Sequence, residues 1–451
     1  MKKVILTGMV LFAFAAASHA QGYQGPQLGG PQGGQQGPIG GQSGSGGFFG
    51  PFVLVPVSTA NRSVISQING AQYNQAGATQ TGQANISTIT QNASGGASLR
   101  GNSGAVGVGT GKGNFAGTLQ TGNGNTATIG QSGASVSSNF GEIYQYGKNN
   151  EGTITQGATA TDNAVTIMQG SVTTNDGNKA TVSQNAGTST RNTATIMQDG
   201  KNGTVDVSQQ NNSTDNTAII GQISGNDLKV ELQQSHGANR NLTKTTQYGT
   251  NNLISIEQVA SSDNGVFINQ GSASTTSSDN RARVYQKDGS QEGEITINQN
   301  VTTDGSANYA QVEQAFPSGT STGNEATINQ EGSRNVTRLG QTGTGNHMAT
   351  ISQTGNNNLV QGPGTSTYET GPMATQTGDG NTMTVTQTSP DGLNTAIFNT
   401  ANLSQSGMTN TLNLSQTANS VNNISTISQA GTGNMTTVTQ VGNGAMILPG
   451  I

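Results

Sequence analysis

From Asn61 to Gln440 the chain repeatedly alternates apolar residues with small or polar ones, and amides frame each alternating stretch. Asn125-Thr126-Ala127-Thr128-Ile129-Gly130-Gln131 places Asn, Ala, Ile and Gln on one parity and Thr, Thr and Gly on the other. A period of two belongs to a β-strand, whose successive side chains point to opposite faces. The same reading fits Asn163 to Gln169 with Val165 and Ile167, Asn192 to Gln198 with Ala194 and Ile196, Asn324 to Gln330 with Ala326 and Ile328, and Asn434 to Gln440. A helix would need apolar residues three and four apart, and the wealth of Thr, Ser, Gly, Val and Ile in these windows opposes one. The pattern predicts an all-β fold.

The framing amides recur at fixed spacing. Asn is followed six residues later by Gln 24 times. Random placement of the 50 Asn and 43 Gln over 451 positions would give about five such pairs. Inward ladder positions are therefore assigned to Asn61 and Gln67, Asn85 and Gln91, Asn125 and Gln131, Asn139 and Gln145, Asn150 and Gln156, Asn163 and Gln169, Asn178 and Gln184, Asn192 and Gln198, Asn324 and Gln330, Asn423 and Gln429, and Asn434 and Gln440. Asn69 to Gln75 reads as an early unit, and Gly293 to Gln299 and Asp227 to Gln233 as degenerate ones. After most strands come Gly and Asn, as in Gly122-Asn123-Gly124-Asn125 and Gly147-Lys148-Asn149-Asn150. These residues accept the positive φ of tight reversals. Insertions such as Ser171 to Gly177 fall at turns, where they are best tolerated.

A strand with two apolar residues buries too little to be stable alone, so the units must stack. The expected architecture is a β-solenoid of strand-turn-strand repeats forming two parallel, in-register sheets. Each inward amide would then bond to the equivalent amide one rung away, and one without that neighbour would cost about 1 to 3 kcal/mol. Two strands per rung give roughly 13 to 16 rungs at about 4.8 Å each. The period weakens at residues 92–113 and 355–378, where irregular rungs are expected. No cap is evident: the strands end at Gln440, leaving Val441 to Ile451, and bare end rungs would template further copies. A contact between unlike ends need not close, so the product would be an open filament.

Composition explains why order must come from stacking. The chain contains 67 Gly, only 30% hydrophobic and 4% aromatic residues, and no Cys. An ordinary large core, disulfides and thiolate chemistry are thereby excluded. A formal charge of −5 on 9% charged residues provides no basic groove for nucleic acid. Residues 1–20, with Lys2 and Lys3, an apolar run and Ser18-His19-Ala20, read as a cleavable secretory signal, and no other segment is apolar enough to span a membrane. Residues 21–58 form a flexible Gly/Gln/Pro-rich leader that is expected to be disordered and is a possible secretion-targeting segment. Pro51 and Pro56 argue against a central strand near its end. Residues 59–451 form the repeat region.

Gln-x-Gly-x-Gly-Asn-x-Ala closing on a further Gln, at Gln120 to Gln131, and Ile143-Tyr144-Gln145-Tyr146-Gly147 followed by Asn150 and Gln156, resemble the repeats of curlin, the subunit of bacterial curli fibres. The leader resembles the segment that guides curlins to their outer-membrane secretion channel. The likeness covers roughly residues 21–451 through recurrence of the motif. It implies a secreted, self-assembling subunit of extracellular amyloid fibres on the bacterial surface, serving biofilm matrix and adhesion. Its implied partners are other copies of itself, an outer-membrane channel, a nucleator and chaperones. It also implies a role in nucleation and growth for Asn61, Gln67, Asn125, Gln131, Gln145, Gln156, Asn434 and Gln440. The chain departs from the best-known curlins in having many more repeats, of irregular length.

Rival readings find less support. A polysaccharide-cleaving β-helix needs clustered acids and bases, but His236 and His347 read as solvated loop or strand-end residues, and Glu142, Glu231, Glu257 and Glu313 stand singly. No enzyme activity and no cofactor are expected. Asp162, Asp176, Asp263 and Asp379 are too sparse for a calcium-binding ladder. Thr-x-Thr pairs such as Thr126 with Thr128 keep a monomeric adhesin or ice-binding solenoid as the alternative, although exposed strands favour Thr anyway.

Overall fold

The computed structural model describes residues 52–53, 61–68, 74–93, 113–133, 136–170, 177–185, 187–272, 278–287, 289–300, 307–314, 321–364, 370–389, 399–417, 423–441 and 445–447. The expected signal at 1–20, the leader apart from Phe52–Val53, Asn69, the insertion at 171–176 and most of the irregular stretch at 92–113 lie outside these residues.

Successive strands alternate between two sheets, except where the second sheet takes two in a row, as at Asn358–Gln361 and Ala374–Asp379, and among the described residues every strand pairing is parallel. The first sheet has 15 strands and runs from Phe52–Val53 through Gln75–Gln83, Phe115–Asn123 and Phe140–Lys148 to Met435–Val441. The second starts at Arg62–Ile68, passes through Ile86–Ala93, Thr126–Gly133 and Glu151–Gly157, and ends at Ala445–Ile447. The two sheets form the stacked solenoid that the period of two predicts. Among the described residues there is no helix long and apolar enough to cross a membrane.

Register follows the amide frame. Ile129 lies beside Ile154 and Gln131 beside Gln156 in the second sheet, as Ile143 lies beside Ile167 and Gln145 beside Gln169 in the first. Between the sheets, Ile, Val, Leu and Ala form one continuous core from Ile89 to Val438. A one-residue slip would turn every apolar side chain outward, so burial itself enforces the phase.

That rule corrects two of the early assignments. Asp227 and Gln233 are exposed, and the buried pair one residue on is Leu228 and Gln234. Leu228 starts the unit without an amide, which hid the true phase. Gln75 is likewise exposed, and Asn74 and Gln80 frame that strand instead.

The irregular rung expected at 355–378 is present. The long strand Val336–Gly345 pairs along its first part with Asn358–Gln361 and along its second with Ala374–Asp379. Both short strands then pair with Asn399–Met408. Residues 362–364 and 370–373 lie outside the strands, where the Gly362 N–H donates to Pro372 O at 3.1 Å.

The ends differ from the expectation of no cover. Phe52 and Val53 pair with Gly77 and Ala78 at one end, and Ala445–Ile447 with Ile424, Ser425 and Thr426 at the other. Each short strand covers part of one sheet's terminal edge. Arg62–Ile68 and Met435–Val441 remain paired on one side only. A strand at the chain's proline-flanked start is compatible with Pro51 and Pro56 because it is terminal, not central.

Candidate functional site: the amide ladders

Two columns of glutamines run through the core without interruption. In the first sheet Gln80 donates to Gln120 at 2.7 Å, Gln120 to Gln145 at 2.8 Å and Gln145 to Gln169 at 2.8 Å, and the series continues to Gln416 donating to Gln440 at 2.8 Å. In the second, Gln67 donates to Gln91 at 2.8 Å, Gln91 to Gln131 at 2.9 Å and Gln131 to Gln156 at 2.9 Å, and so on to Gln405 with Gln429 at 2.9 Å. The same side chains tie the sheets together. Gln145 Nε2 also approaches Thr126 O at 2.8 Å and Asn150 O at 3.1 Å.

Asparagine does a different job from the one its spacing suggests. The Asn125 Oδ1 accepts the backbone N–H of Asn150 at 3.0 Å, and Asn125 itself donates its backbone N–H to Asn85 Oδ1 at 3.0 Å. Its Nδ2 donates back to the turn, at 3.1 Å to Gly147 O. The shorter side chain satisfies the backbone where the strand begins, and reaches its equivalent directly only at some rungs, as where Asn150 donates to Asn125 at 3.2 Å and Asn216 to Asn192 at 3.1 Å. Only near the C-terminal end do Asn side chains pair directly in series, with Asn399 donating to Asn358 at 2.7 Å and Asn423 to Asn399 at 3.1 Å.

Every assigned ladder residue lies on an inward column. Asn85, Gln91, Asn125, Gln131, Asn139, Gln145, Asn150, Gln156, Asn163, Gln169, Asn178, Gln184, Asn192, Gln198, Asn324, Gln330, Asn423, Gln429 and Gln440 are buried. Asn61 and Asn434 are half-buried and Gln67 is exposed, because they sit on terminal rungs with a neighbour on one side only.

Several members lack the Asn signal. Gly203 and Gly293 occupy the Asn position, and both accommodate neighbouring amide oxygens where a Cβ would stand. Inward hydroxyls also join the ladders: Thr243 Oγ1 donates to Gln258 at 3.0 Å and Ser425 Oγ to Gln440 at 2.7 Å.

His347 is the clearest departure from its expected solvated setting. It is buried between Asn324 and Asn381 in the Asn column. Its backbone N–H donates to Asn324 Oδ1 at 3.0 Å, its Nδ1 accepts the Asn381 N–H at 3.3 Å, and its Nε2 donates to Thr342 O at 3.1 Å. The neutral imidazole thus has the donor and acceptor of an asparagine amide. Burial pushes its pKa below the ordinary imidazole value, opposed by Thr342 O and by the Asp379 charge. His236 is exposed, as expected.

Most charge lies on the outside, whereas Arg338 is buried with its guanidinium 5.4 Å from the centroid of the Tyr309 ring. At one corner Arg191 makes a bidentate pair with Asp215 at 2.6 and 2.7 Å, and Arg240 one with Asp263 at 2.6 Å for both bonds. These residues share a left-handed corner position, with φ between 52° and 58°. Among the described residues no group of three or more His, Asp or Glu side chains is placed to hold a metal.

A family model described as the curlin associated repeat matches residues 137–170, 322–355 and 348–388. No curated protein matches the chain.

Proposed function

We propose that this chain, a curlin-family repeat protein, is a secreted structural subunit that joins end to end with copies of itself into an extracellular amyloid fibre. One observation carries the reading: the glutamine ladders have a direction. Each Nε2 donates toward the C-terminal rung, so the first rungs offer the acceptors Gln67 Oε1 and Gln80 Oε1, while the last rungs offer the amides of Gln429 and Gln440. Unlike ends are complementary and like ends are not, which favours head-to-tail growth into an open filament. The partly covered edges would exchange their short end strands for those of the next copy.

In this reading residues 1–20 direct export, residues 21–58 engage an outer-membrane channel, and residues 59–451 form the fibre, with a nucleator and chaperones as further partners. The role is structural and non-catalytic, in biofilm matrix and adhesion at the bacterial surface. The test is seeding: the purified mature chain should convert to β-rich fibrils, and preformed fibrils should abolish the lag. A folded chain that stays monomeric at micromolar concentration and ignores seeds would instead support the rival monomeric surface-binding solenoid.

A further inference from the structure

The two outer faces of the solenoid differ in chemistry. On the second sheet, outward positions carry Glu151, Lys179, Asp206, Lys229, Glu231 and Glu257, several of them in ion pairs such as Lys179 with Glu151 at 3.1 Å and Lys229 with Glu231 at 2.6 Å. On the first sheet, from Phe115 to Asn269, the first three outward positions of each strand carry two charges, Glu142 and Lys244, among aromatic, aliphatic, Gly, Thr and Asn residues, and Lys148, Asp199 and Lys201 lie further along their strands. Phe115 and Phe140 stack there at 5.1 Å between ring centroids.

The registers place those two charges symmetrically. In one column Glu142 lies beside Thr166, Thr166 beside Thr195, Thr195 beside Ile219 and Ile219 beside Lys244. Thr195 is thus two rungs from each charge. A twofold axis through Thr195, parallel to the strands, reverses the rung order of a facing copy and preserves each column. Glu142 then faces Lys244 of the other copy, twice. In the flanking columns Phe140 faces Leu242, and Met168 faces Gly221, a large side chain against none. One rung further out, Phe115 leans over Gly117 and Phe267 over Gly265, so the two facing rings lie side by side over adjacent columns.

We propose that this face is a self-complementary interface on which a second copy of the chain docks antiparallel, centred on Thr195. The alternative facing arrangement, with rung order preserved, would set Glu142 against Glu142 and Lys244 against Lys244, two like-charge contacts with no opposite one, whereas the antiparallel arrangement makes two opposite-charge contacts and sets Asp199, at the fourth outward position of the central strand, against itself. Seven rungs at about 4.8 Å and three outward residues per strand give roughly 650 Å² per copy, within the range of a standard specific interface. Lys244 makes no ion pair among the described residues, and the Glu142 carboxylate accepts only the Tyr144 hydroxyl, at 2.8 Å, so both charges are available to a partner. Filaments growing from their ends would pair laterally through this face, a step distinct from end growth.

The chain has no Cys, so a single introduced thiol reports pairing without background. In the folded full-length protein, Thr195→Cys treated with a short bismaleimide should give covalent dimer at several times the yield of Thr350→Cys, which lies in the same column well outside the interface. On the Thr195→Cys background, Glu142→Lys or Lys244→Glu should lower that yield about tenfold, and the combined exchange should restore it. Equal yields at the two cysteine positions, or a combined exchange no better than either single change, would overturn the proposal. Seeded elongation should be unchanged by these exchanges, which separates loss of lateral pairing from loss of end growth.

Discussion

The Nδ1 of His347 accepts the backbone N–H of Asn381 across 3.3 Å, performing for the next rung what Asn324 Oδ1 performs for His347 at 3.0 Å. An imidazole does this only while neutral. Protonation would set two donors against each other in a buried site, at a cost of about 1 to 3 kcal/mol.

The sign of the pH effect follows. Burial lowers the folded-state pKa of His347 below that of the unfolded chain, despite the opposing Asp379 charge and Thr342 carbonyl. The folded state therefore binds fewer protons, and the contribution is full above about pH 6.5 and is lost as pH falls through the folded value. Denaturant midpoints at pH 7.5 and 5 should show a loss in the parent that His347→Asn reduces. Equal losses in both would remove His347 from the account.

Gln145→Ala should destabilise by about 3 kcal/mol, since it breaks the ladder between Gln120 and Gln169, removes the donor to Gln169 Oε1 and leaves a cavity. Thr153→Ala, on the outer face, should change stability by less than about 0.5 kcal/mol. The same contrast is expected in assembly rate, with Gln131, Gln145 and Gln156 sensitive and Thr126, Thr128 and Thr153 tolerant. Unfolding curves and fibrillation kinetics on the two sets check both expectations.

Gly122 has φ 120°, and a Cβ there would stand on the carbonyl oxygen of Gly147 in the next rung. Gly122→Ala is expected to cost at least about 2 kcal/mol, combining backbone strain with a contact that backbone must relieve. Gly237→Ala is the control: its φ is also positive, at 85°, but the space around it is open. Thermal melts should show the larger loss at Gly122.

The corner charges should matter little at neutral pH. Arg191 and Arg240 lie in solvent, and the paired guanidinium holds Asp215 and Asp263 below the ordinary carboxylate range. Their contribution is present above the unfolded carboxylate pKa, about 3.9, and disappears as pH falls through the lower folded values. Replacing both arginines by Gln should leave the melting temperature nearly unchanged at pH 7, in contrast to Gln145→Ala. A comparable loss would transfer the stabilising role from the amides to the charges.

Much of this architecture was legible because two independent periods agree. The alternation through Ala127 and Ile129 specifies a strand, and the six-residue step from Asn125 to Gln131 fixes which face is inward. Where the amide is replaced, the phase becomes ambiguous: Leu228 begins a rung with no polar marker, and neighbouring Asp227 and Gln233 imitate one. Spacing equally could not distinguish the partners of Asn and Gln, which depend on side-chain length, or show that an imidazole substitutes for an amide. The corner pairs of Arg191 and Arg240 escaped notice because their acids lie 24 and 23 residues away, a separation that only the folded register makes adjacent.

The pairing of Val336–Gly345 with both Asn358–Gln361 and Ala374–Asp379 shows that a rung can be cut in two and still stay in step, with Gln341 donating to Gln376 at 3.0 Å and Gln376 to Gln405 at 3.1 Å across the break. Faults are therefore local, as in any array whose units consult only their neighbours. Foreign peptide spliced between the two halves of this cut rung should be carried along the thread at one site per molecule, making the break an attachment point for cargo.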